Sequence, residues 1–219
     1  MATEHDIRLD LIEACLEMNA TGLNQGTSGN ISAQYQDRML ITPSATPYDK
    51  IKPDMVAAID LGGEMPVTWD GPLKPSTEWR FHWLSMKERE DVTALVHTHS
   101  PYATALSLLR KPIPACHYMI AAFGGMDVRV ADYATFGSPT LAKNVMKALE
   151  GRSACLMANH GMVATGVGLE QAMWRAVELE TIARQYHLAL ILGEPHLLSE
   201  AQIEDAQRKI ADYGVQDSV

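Results

Sequence analysis

The sequence lacks long apolar runs, low-complexity stretches and segments with the composition of a linker. Its longest apolar runs, such as 188–192, are far shorter than the roughly 20 residues that a membrane-spanning helix needs. The first residues also lack the basic stretch and apolar core of a secretory signal. We therefore expect no membrane segment and a cytoplasmic location. At 219 residues, with 47% hydrophobic and 21% charged residues, the chain has the composition of a single globular domain over residues 1–219.

Cysteine and positive charge are also scarce. Cys15, Cys116 and Cys155 share no metal-ligand spacing and lie in apolar surroundings, which favours free and buried thiols in a reducing compartment. Lysine and arginine number 18 against 27 acidic residues, for a formal net charge of −9. This balance argues against a nucleic-acid partner, although a local positive pocket for a small anion remains compatible with it.

Signals for helices and strands alternate along the chain. Apolar spacing predicts helices over 7–23 and 169–192, and residues 76–90 have helical composition. Alternation over 31–41 predicts a short hairpin. Ser100-Pro101 and Ser138-Pro139 each place an N-cap serine before a first-turn proline, which is typical of a helix start. The order predicts one α/β domain, with a mixed sheet because tight turns join several strand pairs.

Two histidine motifs predict a metal site. His97-Thr98-His99 follows the apolar run Ala94-Leu95-Val96, and alternate residues of a strand point to the same side. His160 ends a second apolar run and is followed by a glycine, so a turn could bring it beside the first pair. Three neutral imidazoles suit zinc or a neighbouring divalent metal such as manganese or cobalt, and they leave a coordination position for substrate.

The other five histidines lack this spacing and are expected to be surface residues or satisfied core residues. They are His5, His82, His117, His187 and His196.

Two loops have the chemistry of anion sites. The loop Gly26-Thr27-Ser28-Gly29-Asn30 can bring backbone N–H groups and hydroxyls close to an anion, although a flexible turn would look the same. Pro75-Ser76-Thr77 precedes a predicted helix, where free backbone donors favour phosphate, although simple N-capping is the alternative. Glu78 directly follows and is a candidate base, unless it is only a surface charge at a helix start.

Seven motifs spread over nearly the whole chain carry a family resemblance. In order they are Gly-Leu-Asn-Gln-Gly-Thr-Ser-Gly-Asn at 22–30, Leu-Ile-Thr-Pro-Ser at 40–44, Pro-Ser-Thr-Glu-Trp-Arg-Phe-His at 75–82, His-Thr-His at 97–99, His-Tyr-Met-Ile-Ala-Ala at 117–122, Tyr-Ala-Thr-Phe-Gly at 133–137 and Asn-His-Gly at 159–161. Together they resemble class II sugar-phosphate aldolases of the L-fuculose-1-phosphate aldolase type, within the aldolase/epimerase/adducin superfamily. The resemblance implies a three-layer α/β/α sandwich around a mostly antiparallel sheet, in four-fold symmetric homotetramers with the active site between subunits.

The resemblance also implies roles for individual residues. The zinc ligands would be His97, His99 and His160, with Glu78 both near the metal and acting as the proton-transfer base. Phosphate contacts would come from Gly29, Asn30, Ser44, Ser76 and Thr77. Tyr118 would be the acid serving the aldehyde oxygen, Phe136 would shape the aldehyde pocket, and Tyr213 would reach the site in the assembled oligomer.

The chain departs from the family pattern near the expected phosphate. Ala45 stands where the fuculose enzymes carry glycine, and Ser44 and Thr77 exchange threonine and serine relative to them. The exchanged hydroxyls keep a donor, whereas Ala45 adds a methyl group to the pocket.

The activity that the resemblance implies is zinc-dependent, reversible cleavage of L-fuculose 1-phosphate or a related deoxyketose phosphate to dihydroxyacetone phosphate and a short aldehyde. A pentulose-phosphate 4-epimerase, a decarboxylase and a non-catalytic adducin-like module are alternatives within the superfamily. The epimerases usually carry aspartate at the position of Glu78, which favours the aldolase. Three histidines alone would also suit a metal-dependent hydrolase.

Overall fold

The computed structural model describes residues 2–64 and 67–211 and contains six α-helices and eight strands in these ranges. The helices are α1 Glu4–Ala20, α2 Trp79–Glu88, α3 Pro101–Leu108, α4 Pro139–Ala148, α5 Leu169–Leu192 and α6 Glu200–Ala211. The strands are β1 Asn30–Tyr35, β2 Arg38–Ile41, β3 Ala57–Asp60, β4 Ala94–Thr98, β5 Ile113–Pro114, β6 Asp127–Ala131, β7 Ala154–Met157 and β8 Gly161–Gly166. No helix in the described ranges is both long and apolar enough to span a bilayer.

The eight strands form one sheet in the order β3-β2-β1-β4-β8-β7-β6-β5. Only β6 and β7 pair in parallel among the described strands, and the other neighbours are antiparallel. The predicted α/β fold with a mixed, mostly antiparallel sheet is therefore confirmed. Tight connections such as those between β1 and β2 and between β7 and β8 produce the antiparallel pairs.

Helices cover both faces of the sheet, which gives the predicted three layers. On one face α1, α3 and α5 pack on strand residues such as Val96 and Leu156. On the other face α2 and α4 pack on residues such as Leu95 and Met157. Because Leu95 and Val96 are neighbours in β4, they show the period-two alternation that buries both faces of a central strand.

Two predicted helices are displaced by about three residues: the first at both ends and the second at its start. The first helix runs from Glu4 to Ala20, not over 7–23, because Thr3 forms a capping box with Asp6 at its start. The second begins at Trp79, not at residue 76. The N–H of Ser76 instead donates to the carbonyl of Thr42, directly after β2. Ser138 caps α4 as predicted by accepting a hydrogen bond from the Leu141 N–H.

The centre of the sheet carries the histidine motif. Strand β4 lies between β1 and β8, with His97 opposite Asn30 on one side and opposite Val163 on the other. The chain turns into α3 directly after His99 and Ser100. The antiparallel pairing of β4 with β1 and β8 places the end of β4, the start of β1 and the turn between β7 and β8 at one end of the sheet.

Candidate active site

Three imidazoles converge at this end of the sheet. One ring nitrogen from each of His97, His99 and His160 lies within 4.8 Å of the others, and the ring centroids are 4.9 to 5.0 Å apart. His97 is fully buried, and the other two are partly exposed. Within the described residues this is the one group of histidine, cysteine or acidic side chains with such metal-ligand spacing. The predicted convergence of the three histidines is confirmed.

The orientation of His97 shows that the cluster fits a cation. Its Nδ1 lies 2.8 Å from the carbonyl oxygen of Met162, which can only accept a hydrogen bond, so Nδ1 carries a proton. The Nε2 atom then faces the centre, 3.1 Å from Glu78 Oε2 and 3.2 Å from His99 Nε2. A neutral Nε2 would place its lone pair against a carboxylate. Either a second proton on His97 or a metal ion resolves that contact, and the carbonyl is the orienting partner typical of metal-binding histidines.

The carboxylate of Glu78 lies against two of the three imidazoles, those of His97 and His160. It is buried, with 5% of its surface exposed, and its Oε1 lies 3.3 Å from His160 Nε2 without a hydrogen bond to any described residue. Burial alone would raise the pKa of Glu78, but His97, His160 and Asn30 lower it to about 2. A buried carboxylate with an unpartnered oxygen among three imidazoles is the donor set that a divalent metal ion would satisfy.

The two partly exposed histidines are in the protonation state that metal ligation requires. Burial, together with the charge of His97, lowers the pKa of His99 and of His160 to about 4. Both rings are therefore neutral near pH 7 and can offer a nitrogen lone pair. For His97, burial lowers the pKa, but the ion pair with Glu78 outweighs burial and raises it.

The turn between β7 and β8 places His160 by close backbone packing. Asn159 adopts a left-handed φ of 55°, and its N–H donates to the Ser107 carbonyl at the end of α3. A Cβ on Gly161 would collide with the carbonyl of Thr98, so only glycine lets β8 approach the end of β4 this closely. The Asn-His-Gly motif is thus explained by backbone geometry around the ligand.

Glu78 is held by the segment before α2, in a way that corrects one expectation. Ser76 was expected to offer a free backbone donor, but its N–H donates to the Thr42 carbonyl at 2.9 Å. The hydroxyl of Ser76 accepts from the Glu78 N–H at 3.3 Å. The expected surface-charge alternative for Glu78 is also wrong, because the carboxylate is buried.

Sequence reasoning missed a buried histidine that belongs to this site. His82 is fully buried, and its Nε2 lies 2.6 Å from Asn30 Oδ1, while Asn30 Nδ2 donates to Glu78 Oε2 at 3.1 Å. On the other side of the ring, Ser32 Oγ lies 2.7 Å from Nδ1. Burial lowers the pKa of His82 to about 3, so the ring is neutral. The available signal was its spacing, four residues and one helical turn after Glu78.

The loop at 26–30 approaches the metal strand closely. A Cβ on Gly29 would lie 2.7 Å from the His97 carbonyl oxygen, and the Gly29 carbonyl accepts a hydrogen bond from Tyr48 at 2.6 Å. The loop is therefore fixed beside the histidines. Both ends of the Asn30 side chain are engaged by Glu78 and His82.

The other predicted anion-site residues lie on the segments that flank this loop. Ser44 donates its N–H to the Lys74 carbonyl, which joins the turn after β2 to the segment before Glu78. The next residue, Ala45, has a left-handed φ of 51°. On the other flank, a Cβ on Gly137 would lie 2.6 Å from the Thr77 carbonyl oxygen, so the 133–137 loop packs directly on Thr77.

Tyr118, the predicted acid, and Phe136, a predicted pocket residue, are both exposed and lie outside the histidine cluster. Phe136, 65% exposed, precedes Gly137 and so lies near Thr77. Tyr118 is 54% exposed and lines a groove against α6, together with Leu198, Gln202 and Ile210. It makes no hydrogen bond to the cluster within the described ranges. Tyr213 lies outside the described residues.

The sequence matches a known family. The family model of the Class II Aldolase and Adducin N-terminal domain matches residues 9–187. The chain belongs to this family. The match covers every residue of the histidine cluster, together with Glu78 and His82.

Two relatives and one solved structure agree with this class II aldolase assignment. A 5-methylthioribulose-1-phosphate/5-deoxyribulose-1-phosphate aldolase from Rhodospirillum rubrum is 46% identical over 208 residues, which cover 95% of this chain and 92% of the relative. An L-fuculose phosphate aldolase from Escherichia coli O157:H7 is 45% identical over 206 residues, 94% of each chain. The structure of an L-fuculose 1-phosphate aldolase matches with a TM-score of 0.90 at 40% identity, over 96% of this chain and 98% of the other.

Proposed function

We propose that this class II aldolase cleaves a ketose 1-phosphate reversibly to dihydroxyacetone phosphate and a short aldehyde. The observation that carries the proposal is the buried carboxylate of Glu78 among three imidazoles, with one oxygen unpartnered within the described residues. Relatives named as fuculose-phosphate and deoxyribulose-phosphate aldolases support the same reaction. The epimerase, decarboxylase and adducin-like alternatives are not favoured, since these relatives are named aldolases.

We assign the metal ligands to His97, His99 and His160, with Glu78 beside them. When bound by these residues, a divalent cation would supply positive charge that stabilises negative charge on substrate oxygens. Zinc is our proposal for the ion because three neutral imidazoles suit it, and manganese or cobalt would fit the same donors.

Glu78 moves the proton at carbon in this proposal. In cleavage the carbon–carbon bond breaks, its electron pair stays on the carbon of the dihydroxyacetone phosphate half, and Glu78 takes a proton from water and passes it to that carbon. In condensation the Glu78 carboxylate removes that proton. A carboxylate with a lowered pKa is ionised at neutral pH and is ready for the second direction.

Tyr118 and the phosphate loops complete the assignment. As the hydroxyl next to the broken bond becomes an aldehyde, its proton passes through the Tyr118 hydroxyl to water. In condensation Tyr118 donates a proton to the new hydroxyl and takes one back from water. Gly29, Asn30, Ser44, Ser76 and Thr77 would hold the phosphate, and Phe136 and Tyr213 would contact the aldehyde. The position of Thr77 directly before Glu78 supports a phosphate held near the base.

We further propose a cytoplasmic homotetramer of single-domain subunits with the active site between them. The exposed aromatic rings of Tyr118 and Phe136 support a site that a second copy completes. The three free cysteines support a reducing compartment.

A panel of ketose 1-phosphates tests the proposal. Each sugar phosphate, including L-fuculose 1-phosphate and 5-deoxyribulose 1-phosphate, is incubated with the zinc-loaded enzyme, and released dihydroxyacetone phosphate is coupled to its reduction. We expect at least one substrate to turn over, and Glu78→Gln to lower kcat by about 10²- to 10⁴-fold because general acid–base catalysis contributes that much.

The matched control is Glu178→Gln on α5, which makes the same chemical change away from the cluster and should leave kcat unchanged. Near-normal turnover by Glu78→Gln would show that the base is another residue. No dihydroxyacetone phosphate from any sugar in the panel would overturn the aldolase assignment.

A further inference from the structure

A chain of four side chains connects the interior of the sheet to the carboxylate of Glu78. Ser32 Oγ lies 2.7 Å from His82 Nδ1, His82 Nε2 lies 2.6 Å from Asn30 Oδ1, and Asn30 Nδ2 lies 3.1 Å from Glu78 Oε2. All four residues are at most 5% exposed. We call this set the Ser32–Glu78 relay.

The donors and acceptors of the relay have one consistent assignment when Glu78 is ionised. The carboxylate can only accept, so the Asn30 NH₂ group must face it and the Asn30 oxygen must face His82. His82 Nε2 then carries the proton and donates, which leaves Nδ1 to accept from the Ser32 hydroxyl. A flipped Asn30 amide would set its oxygen against the carboxylate and its NH₂ group against an N–H.

The relay also makes the two oxygens of Glu78 unequal. Oε2 accepts the hydrogen bond from Asn30, whereas Oε1 is buried and has no hydrogen-bond partner within the described residues. One oxygen of the carboxylate is therefore held by a donor whose own position is fixed by His82.

We propose that His82 is a positioning residue that, through Asn30, holds Glu78 Oε2 and so fixes the orientation of the carboxylate for proton transfer. This inference rests on the proposed function for the proton transfer, but the arrangement of the relay does not depend on it. Two short contacts on opposite sides of the buried imidazole leave it one orientation. A side chain fixed in this way in turn fixes the group that it contacts.

Two substitutions of His82 separate hydrogen bonding from packing. His82→Gln keeps an acceptor for Ser32 and a donor for Asn30 in the same plane, whereas His82→Leu fills the space with no polar group. His196→Leu, at an exposed histidine beyond α5, is the matched control. All variants are compared as zinc-loaded full chains.

The first readout is exchange of the carbon-bound hydrogen of dihydroxyacetone phosphate with deuterated water, which reports Glu78 without any aldehyde. We expect His82→Leu to lower the exchange rate at saturation by about 10- to 100-fold, which is typical when a residue that orients a functional group is lost. The dihydroxyacetone phosphate concentration at half-saturation should change less than about threefold. His82→Gln should recover to within about threefold of wild type, and His196→Leu should match wild type. Equal losses in the Gln and Leu variants, or a Leu variant that exchanges normally, would overturn the proposal.

Two further readouts do not use activity. Competition with a chelating dye measures zinc affinity. We expect the zinc dissociation constant of His82→Leu to lie within about tenfold of that of wild type. A far larger loss of affinity would mean that His82 supports the metal site and not the base. Nitrogen-15 spectra of histidine-labelled wild-type enzyme should show His82 protonated at Nε2. A proton at Nδ1 would overturn the relay even if the Leu variant does not fold.

These readouts distinguish failure of the relay from failure of the proposed function. A wild-type enzyme that exchanges no hydrogen from dihydroxyacetone phosphate contradicts the proposed function. The Nε2–H tautomer of His82 would still confirm the orientation of the relay in that case.

Discussion

At the scale of single residues, the chemistry of the site was readable where it depends on side-chain type and local spacing. His97 and His99 alternate on one strand, so their convergence followed from the period of a strand. The role of His82 could not be predicted, because its partners Ser32 and Asn30 lie on β1, about 50 residues away, and only the packing of α2 against the sheet brings them near. The Ser76 N–H was misjudged for a similar reason, since its partner is the carbonyl of Thr42.

Ala45 carries backbone strain beside the expected phosphate pocket. Its φ of 51° lies in the left-handed region that costs a residue with a Cβ roughly 1–2 kcal/mol. Ala45→Gly should therefore raise the free energy of unfolding by about 0.5–1 kcal/mol, less than the full strain because glycine also loses more entropy on folding. Urea unfolding measures this change. The control Ala33→Gly, inside strand β1, should be destabilising, and equal losses at both positions would contradict strain at Ala45.

At the scale of elements, the start of α3, the helix that follows the histidine motif, is capped by a side chain from another helix. Ser100 precedes α3 as its N-cap residue, but its side chain makes no capping hydrogen bond. Instead the two oxygens of Glu180, on α5, accept from the Tyr102 and Ala103 N–H groups, each at 2.8 Å. The Ser100-Pro101 motif correctly predicted the start of α3. It did not predict the carboxylate that accepts from the N–H groups of the first turn, because Glu180 lies 78 residues after Tyr102 in the sequence.

Removing that carboxylate should weaken the junction next to His99. Glu180→Ala leaves two N–H groups at a helix start without their charged acceptor, and we expect a loss of about 1.5–3 kcal/mol in the free energy of unfolding. Denaturant unfolding gives the value. Glu178→Ala on the same helix should cost less than about 0.5 kcal/mol, as is usual for substitutions away from such features. If both variants unfold alike, the contact across the helices contributes no stability.

At the scale of the whole molecule, the order of strand and helix signals predicted an α/β fold, and the family resemblance predicted three layers with a mostly antiparallel sheet. The order of strands in the sheet was not predictable from periodicity, because it depends on which distant strands pair. That order decides the site: β4 lies between β1 and β8, so the ends of these strands collect the three histidines, Asn30 and the support for Glu78.

Metal removal and restoration tests the central claim most directly. The purified chain is stripped with a chelator, assayed for cleavage of the sugar phosphate that the panel identifies, and titrated with zinc while bound metal is measured. We predict that turnover disappears on stripping and returns in proportion to zinc, with saturation at one ion per chain, and that His97→Ala prevents the recovery. Turnover that persists in metal-free enzyme, or that returns without zinc at the three histidines, would contradict the account.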